Sequence, residues 1–209
     1  MNWKNFFING ISVFLGLIFF TSGMAKVYFE HKFPGIIGPV WLEDQLAKYE
    51  LGLYARFIAY SQITIGFTLL TLRYRTLGAL MLLPMVLNIM LVTISLNWQG
   101  TPYVLAFFLV LNLILVAADA KKLLHLLGVP PFQQDTVVYQ SSPILSGLIW
   151  LAGYILALSS VSVSFQELTI SYIICALGIA ISLFPYFREG TAGSISISKR
   201  KSIKEKITT

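Results

Sequence analysis

Residues Phe14–Lys26 read FLGLIFFTSGMAK. The run opens on large apolar side chains, passes into Thr21, Ser22, Gly23 and Ala25, and ends on an ammonium group. The apolar stretch around it, from about Phe6 to Tyr28, has not finished when Lys26 appears. Roughly 20 mainly apolar residues suffice for a helix to cross a bilayer. A charge inside such a span is costly, so it is paired, wetted or functional. How Lys26 is accommodated therefore bears on both the fold and its use.

Helical spacing places Ser12, Gly16, Phe19, Gly23, Lys26 and Glu30 on one face. Glycine on a membrane helix lets another backbone approach closely. Lys26 thus extends a packed face rather than a lipid face, and Glu30 is in position to pair with it at i,i+4.

Five further windows resemble the first. The six expected spans are Phe6–Tyr28, Leu51–Leu72, Thr76–Leu96, Thr101–Ala118, Pro143–Val163 and Leu168–Phe187. The bulk composition agrees: 56% of the 209 residues are hydrophobic and 11% are charged, against roughly 25% charged in soluble domains. So few charges cannot cover a water-facing surface, and the lipid bilayer is the expected solvent. The expected fold is all-α, a polytopic membrane helix bundle. The apolar run of the first span is too long for a cleavable signal peptide and no A-x-A-like small-residue site ends it, so that span is expected to stay as an anchor.

The connections divide the chain. Arg73–Arg75 (RYR) and Asn97–Gly100 (NWQG) are tight, so spans two to four are expected to be antiparallel neighbours. WLEDQLAKYE (Trp41–Glu50) has helical spacing and is expected to lie along the interface. The organisation read from the sequence is a four-helix unit over 1–125, a linker over 126–142 with Pro130 and Pro131, two added helices over 143–187, and a basic tail over 188–209. With the N-terminus in the cytoplasm, Lys4, Arg73, Arg75, Lys121, Lys122, Arg188 and the basic tail share one side, leaving Lys32 and Lys48 opposite. This asymmetry follows the positive-inside rule. The net charge of +6 is thereby assigned to topology, and nucleic acid is not an expected partner. The one cysteine, Cys175, has no partner for an internal disulfide and reads as a packing residue. His31 and His125 lack neighbours at ligand spacing, so no metal is expected.

The second span carries a small-residue stripe of Gly52, Ala55, Ala59, Gln62 and Gly66, flanked by Arg56. Spans three and four each hold one amide, Asn88 and Asn112, and Pro84 lies one turn before Asn88, where it frees a carbonyl. The candidate ligand-binding set is therefore Lys26, Arg56, Gln62, Asn88 and Asn112, gathered in a polar chamber among the first four helices. Gly16, Gly23, Gly66 and Pro84 are the candidate packing positions. A plainer structural reading stands beside this one: Lys26 bonds Glu30, Arg56 snorkels or pairs with Glu50, and the amides join helices.

GLIFFTSGMAK (Gly16–Lys26), QITIGFTLL (Gln62–Leu70) and PMVLNI (Pro84–Ile89) resemble, in this order, the first-, second- and third-helix signatures of the DoxX-like membrane proteins. The resemblance covers about the first 125 residues. It implies a four-helix unit and site positions Gly16, Phe19, Gly23, Lys26, Gln62, Gly66, Pro84 and Asn88. Some members of that family are described as subunits of quinone-reducing oxidoreductases. Where many relatives have a glutamate, this chain has Gln62, and a neutral amide cannot relay a proton as a carboxylate can.

The first functional expectation is an intramembrane site for a quinone-like or lipid-like molecule, in the membrane subunit of a redox system of the bacterial cytoplasmic membrane. The sequence holds no redox centre of its own, so electrons must come from a partner protein. The second expectation is an assembly or scaffold protein that binds another membrane protein through its helices. A small transporter ranks third, because no pair of broken helices occupies corresponding halves.

Overall fold

The computed structural model describes residues 3–38, 40–120, 123–124 and 144–207, with side chains described to residue 187. Among these residues there are seven α-helices: α1 (Trp3–Val27), α2 (Leu42–Ala47), α3 (Gly52–Leu70), α4 (Arg75–Ser95), α5 (Thr101–Ala118), α6 (Ile144–Val163) and α7 (Leu168–Ile207). A single 3-10 turn, Phe29–His31, follows α1. The linker expected over 126–142 lies outside the described residues, as do His125, Lys121 and Lys122. The backbone of α7 continues as helix from the apolar part through the basic stretch to residue 207.

Among the described residues, five helices are long and apolar enough to cross a membrane: α1, α4, α5, α6 and the Leu168–Phe187 part of α7. The sequence reading counted six. The helix that falls short is α3, whose 19 residues include Arg56 and Gln62. Its lower apolarity has a local cause, since Gln62 is buried against other helices and Arg56 stands at its exposed N-terminal turn.

Burial orders the bundle. In the most apolar stretch of α1, 61% of residues are buried, against 22% in α5. Helix α1 is thus the central post. The outer helices turn Leu91, Phe107, Val110, Ile155 and Ile173 outward, and bare apolar surface on this scale fits hydrocarbon rather than water.

Glycine fixes how α1 meets its neighbour α3. A Cβ on Gly16 would strike the backbone nitrogen of Leu70, and one on Gly66 that of Phe20. Further along, a Cβ on Gly23 would stand 2.7 Å from the Ala59 carbonyl oxygen. The Ser12 hydroxyl donates to the Leu69 carbonyl (2.9 Å) at the same interface. The two helices therefore run antiparallel at backbone contact over most of their length. Helix α4 is continuous through Pro84, which lies on its exposed side.

Two apolar clusters share α1. One joins Ile11, Leu15, Ile18 and Phe19 to α3, α4 and α5, and takes in Leu42 and Leu46 from α2. Helix α2 is therefore amphipathic: it buries those two leucines and starts on Glu43 and Asp44. The second cluster joins Phe20 and Met24 to Ile63, Phe67, Ala157, Val161 and Cys175, and so seats α6 and α7 on the first unit. Polar pins cross that seam. Tyr28 Oη lies 2.6 Å from Ser160 Oγ, Thr64 Oγ1 lies 2.7 Å from Tyr154 Oη, and Trp150 Nε1 donates to Thr71 Oγ1 at 2.9 Å. Helices α6 and α7 cross at Gly153 and Gly178, where either added Cβ would come within 2.6 Å of the other's carbonyl oxygen.

Candidate functional site

Between α1, α3, α4 and α5 lies an apolar pocket of about 50 Å³. Ile18, Phe19, Ile58, Ile89, Leu105 and Phe108 make its walls. The residues with polar groups along its wall are Ser22 and Lys26 on α1, Gln62 on α3, Thr93 on α4, and Trp98 and Thr101 at the α4–α5 turn. Ile37, Gly38 and Leu42 close the end that carries Lys26.

Local helix geometry sets Lys26. Its Nζ reaches back one turn and donates to the Ser22 carbonyl (2.9 Å) and the Ser22 hydroxyl (2.8 Å), because residues four apart stack on one face. The expected Lys26–Glu30 pair does not form. Glu30 has left the helix with φ +47° and pairs instead with Lys32 at 2.5 Å. Lys26 thus keeps a third N–H for the cavity. The loop after α1 folds over this arrangement. Gly38 has φ +112°, and a Cβ there would sit 2.8 Å from Ser22 Oγ and 3.5 Å from Lys26 Nζ, so a side chain is excluded both by conformation and by space.

Gln62 faces the same pocket and is 5% exposed. Its Oε1 is buried without a hydrogen-bond partner among the described residues. A buried acceptor left unmade costs on the order of 1–3 kcal/mol. The pocket therefore offers one charged donor and one unsatisfied acceptor inside apolar walls. An oxygen-bearing apolar molecule matches that pattern.

The other three expected members of the chamber stand elsewhere. Arg56 is 64% exposed and its Nε donates to Glu43 on α2 at 2.7 Å. The expected alternative partner, Glu50, lies three residues beyond α2 with φ +60° and is not the residue engaged. Asn88 accepts a hydrogen bond from the Tyr54 hydroxyl and so ties α4 to α3. Asn112 is fully buried and donates to the Ala79 carbonyl at 3.0 Å, tying α5 to α4. None of the three lines the pocket. The single five-residue chamber is corrected to a pocket holding Lys26 and Gln62, with two amides joining helices around it. Helix rotation is the reason, since a stripe read from one helix does not reveal which neighbour it meets.

Residues that the sequence reading passed over complete the pocket. Ser22 had a usable signal, as the polar residue four before Lys26. Thr93 is 1% exposed and bonds its own helix at the Met90 carbonyl (2.9 Å). Trp98 leans on Trp41 with ring centroids 5.3 Å apart, joining the α4–α5 turn to the start of α2 across the pocket mouth.

A second polar assembly, also unforeseen, lies at the opposite end of α1. Asp119 is 4% exposed and accepts from Arg75 Nη2 at 2.9 and 3.0 Å, from Arg75 Nε at 3.3 Å and from the Thr76 hydroxyl at 2.8 Å. Arg75 Nη1 donates to Asn9 Oδ1 at 2.7 Å, and Asn9 Nδ2 donates to the Tyr186 hydroxyl at 3.2 Å. The chain α7–α1–α4–α5 is thereby closed through five side chains. This is a lock, since its hydrogen-bonding groups are mutually occupied.

Fold and pocket define the class: a helical protein with the apolar helices of a multi-pass membrane protein and an apolar pocket among α1, α3, α4 and α5. Comparison with family models, with curated proteins and with solved structures finds no match.

Proposed function

We propose that the chain is a DoxX-like protein of the bacterial cytoplasmic membrane whose pocket holds a quinone-like or lipid-like molecule. In this reading it serves as the membrane subunit of a redox system. The supporting observation is the pairing of the Lys26 ammonium with the unsatisfied Gln62 oxygen inside one apolar cavity. Its make-up, mostly apolar walls with few polar groups, is that of ligand pockets, and at about 50 Å³ it has to widen to admit a ring-sized guest. The Lys26 N–H donates to a carbonyl oxygen of the guest and steadies negative charge that develops there on reduction. Gln62 Oε1 accepts from a hydroxyl of the reduced guest. Electrons and protons reach the guest from a partner protein and from water, because Gln62 cannot titrate.

The reading also takes α3 as the sixth crossing. Its 19 residues rise about 28 Å, and it lies against α1 at Gly16, Gly23 and Gly66. Where α1 crosses, α3 has to follow. The N-terminus is then cytoplasmic, with Arg73 and Arg75 on its side and Lys32 and Lys48 opposite.

Protein extracted in mild detergent, with nothing added, is expected to release one apolar oxygen-bearing molecule at close to one per chain. Lys26→Ala and Gln62→Leu are each expected to lower that yield about tenfold, the effect of one lost charge-assisted or buried hydrogen bond. Mass spectrometry of the solvent extract reads the yield. An absent guest, or equal yields from all three proteins, contradicts the proposal.

A further inference from the structure

Beside the pocket, and sharing Lys26 with it, lies an open cleft of about 590 Å³ between the end of α1, the start of α3, Glu43 of α2 and the end of α6. Lys26, Arg56, Glu43, Tyr60, Ser162 and Phe165 line it. Its formal charge is +1, from two cations and one carboxylate. The carboxylate is engaged, since Glu43 accepts from Arg56 Nε. What remains is a set of donors. Both terminal nitrogens of Arg56 and the hydroxyls of Tyr60 and Ser162 carry no side-chain hydrogen bond among the described residues, and the Lys26 ammonium adds its charge from the pocket side. Phe165 gives the cleft an apolar lip, 61% exposed.

A planar guanidinium with free terminal nitrogens beside an ammonium is matched by an oxyanion, which accepts several charge-assisted bonds at once. Position selects the source. Arg56 stands one turn inside α3 and α2 lies beside it, so the cleft opens at the level where headgroups meet water if α1 and α3 cross the membrane. We infer that this cleft is a headgroup subsite for an anionic phospholipid, whose phosphate is held by the terminal nitrogens of Arg56 with the Tyr60 and Ser162 hydroxyls beside it, in the field of the Lys26 ammonium, and whose acyl chains follow the exposed apolar face of α6. The inference rests on the crossing of α1 and α3 but not on the guest of the inner pocket. The two sites share Lys26 as a wall, while Arg56 belongs to the outer one alone.

The test uses the full chain in detergent, titrated with phosphatidylglycerol or phosphatidylcholine, with bound lipid counted by native mass spectrometry. Phosphatidylglycerol is expected to bind about tenfold more tightly than phosphatidylcholine. Arg56→Gln is expected to abolish that preference, Arg56→Lys to keep part of it, and both to leave the yield of the pocket guest unchanged. Inorganic phosphate at equal concentration is expected not to displace the lipid. Equal affinities for the two lipids, a preference that survives Arg56→Gln, or displacement by free phosphate each overturns the inference. Loss of the pocket guest with the lipid preference intact counts against the inner pocket alone.

Discussion

Replacing Gly66 with leucine is expected to separate α1 from α3 and to destabilise the protein by about 3 kcal/mol or more, at or beyond the upper end of ordinary overpacking. The first added carbon already meets the Phe20 backbone, and the Gly16 carbonyl oxygen stands 2.9 Å away. Backbone on both sides cannot swing aside as a flexible side chain can. Gly10, on the partner helix α1, has nothing within 4 Å of a Cβ, so Gly10→Leu is expected to stay within about 0.5 kcal/mol of the parent. Denaturation in mixed micelles measures both. A Gly66→Leu protein as stable as Gly10→Leu would remove the close α1–α3 contact from the account.

The second large effect is expected from Asp119→Ala. Asp119 is 4% exposed and Arg75 19%, so the substitution strands a largely buried guanidinium and releases Thr76 as well. Breaking a buried pair from one side costs about 3–5 kcal/mol, because the surviving charge has lost its compensation. The partly exposed Arg75 places the expectation near the lower figure. The double variant Arg75→Met, Asp119→Leu is expected to recover most of the loss, since apolar replacement of both partners removes the stranded charge. The Arg56–Glu43 pair makes the contrast, with side chains 64% and 39% exposed. Surface pairs contribute about 0–1 kcal/mol, so Glu43→Gln is expected to be nearly silent in the same melt. Equal effects of Asp119→Ala and Glu43→Gln would contradict the lock.

Local patterns made part of this molecule legible in its sequence. Gly16 and Gly23 follow helical spacing, and helical spacing alone determines that they share a face with Lys26. The span count rested on composition, which is why α3 was counted and yet falls outside the five most apolar helices: Arg56 and Gln62 lower its apolarity although Gln62 points into the bundle. The partners of the amides were not legible. Asn88 and Asn112 were recognisable as groups needing hydrogen bonds, but Tyr54 and Ala79 became their partners through the rotation of α4 and α5. Asp119 was missed for a related reason. It sits at the end of an apolar run where a charge looks like a solvated terminus, and only the return of the chain at Arg75 makes it a buried acid. Lys26 was placed on the correct face, while its partner turned out to be Ser22 behind it rather than Glu30 ahead.

An experimental density map of the native protein, purified from membranes without any added compound, bears most directly on the central claim. The account predicts elongated density in the pocket between Phe19 and Phe108, with a polar atom within hydrogen-bonding distance of Lys26 Nζ and another facing Gln62 Oε1. A pocket collapsed onto its own side chains, or filled with water while Lys26 turns out to the headgroups, would contradict it.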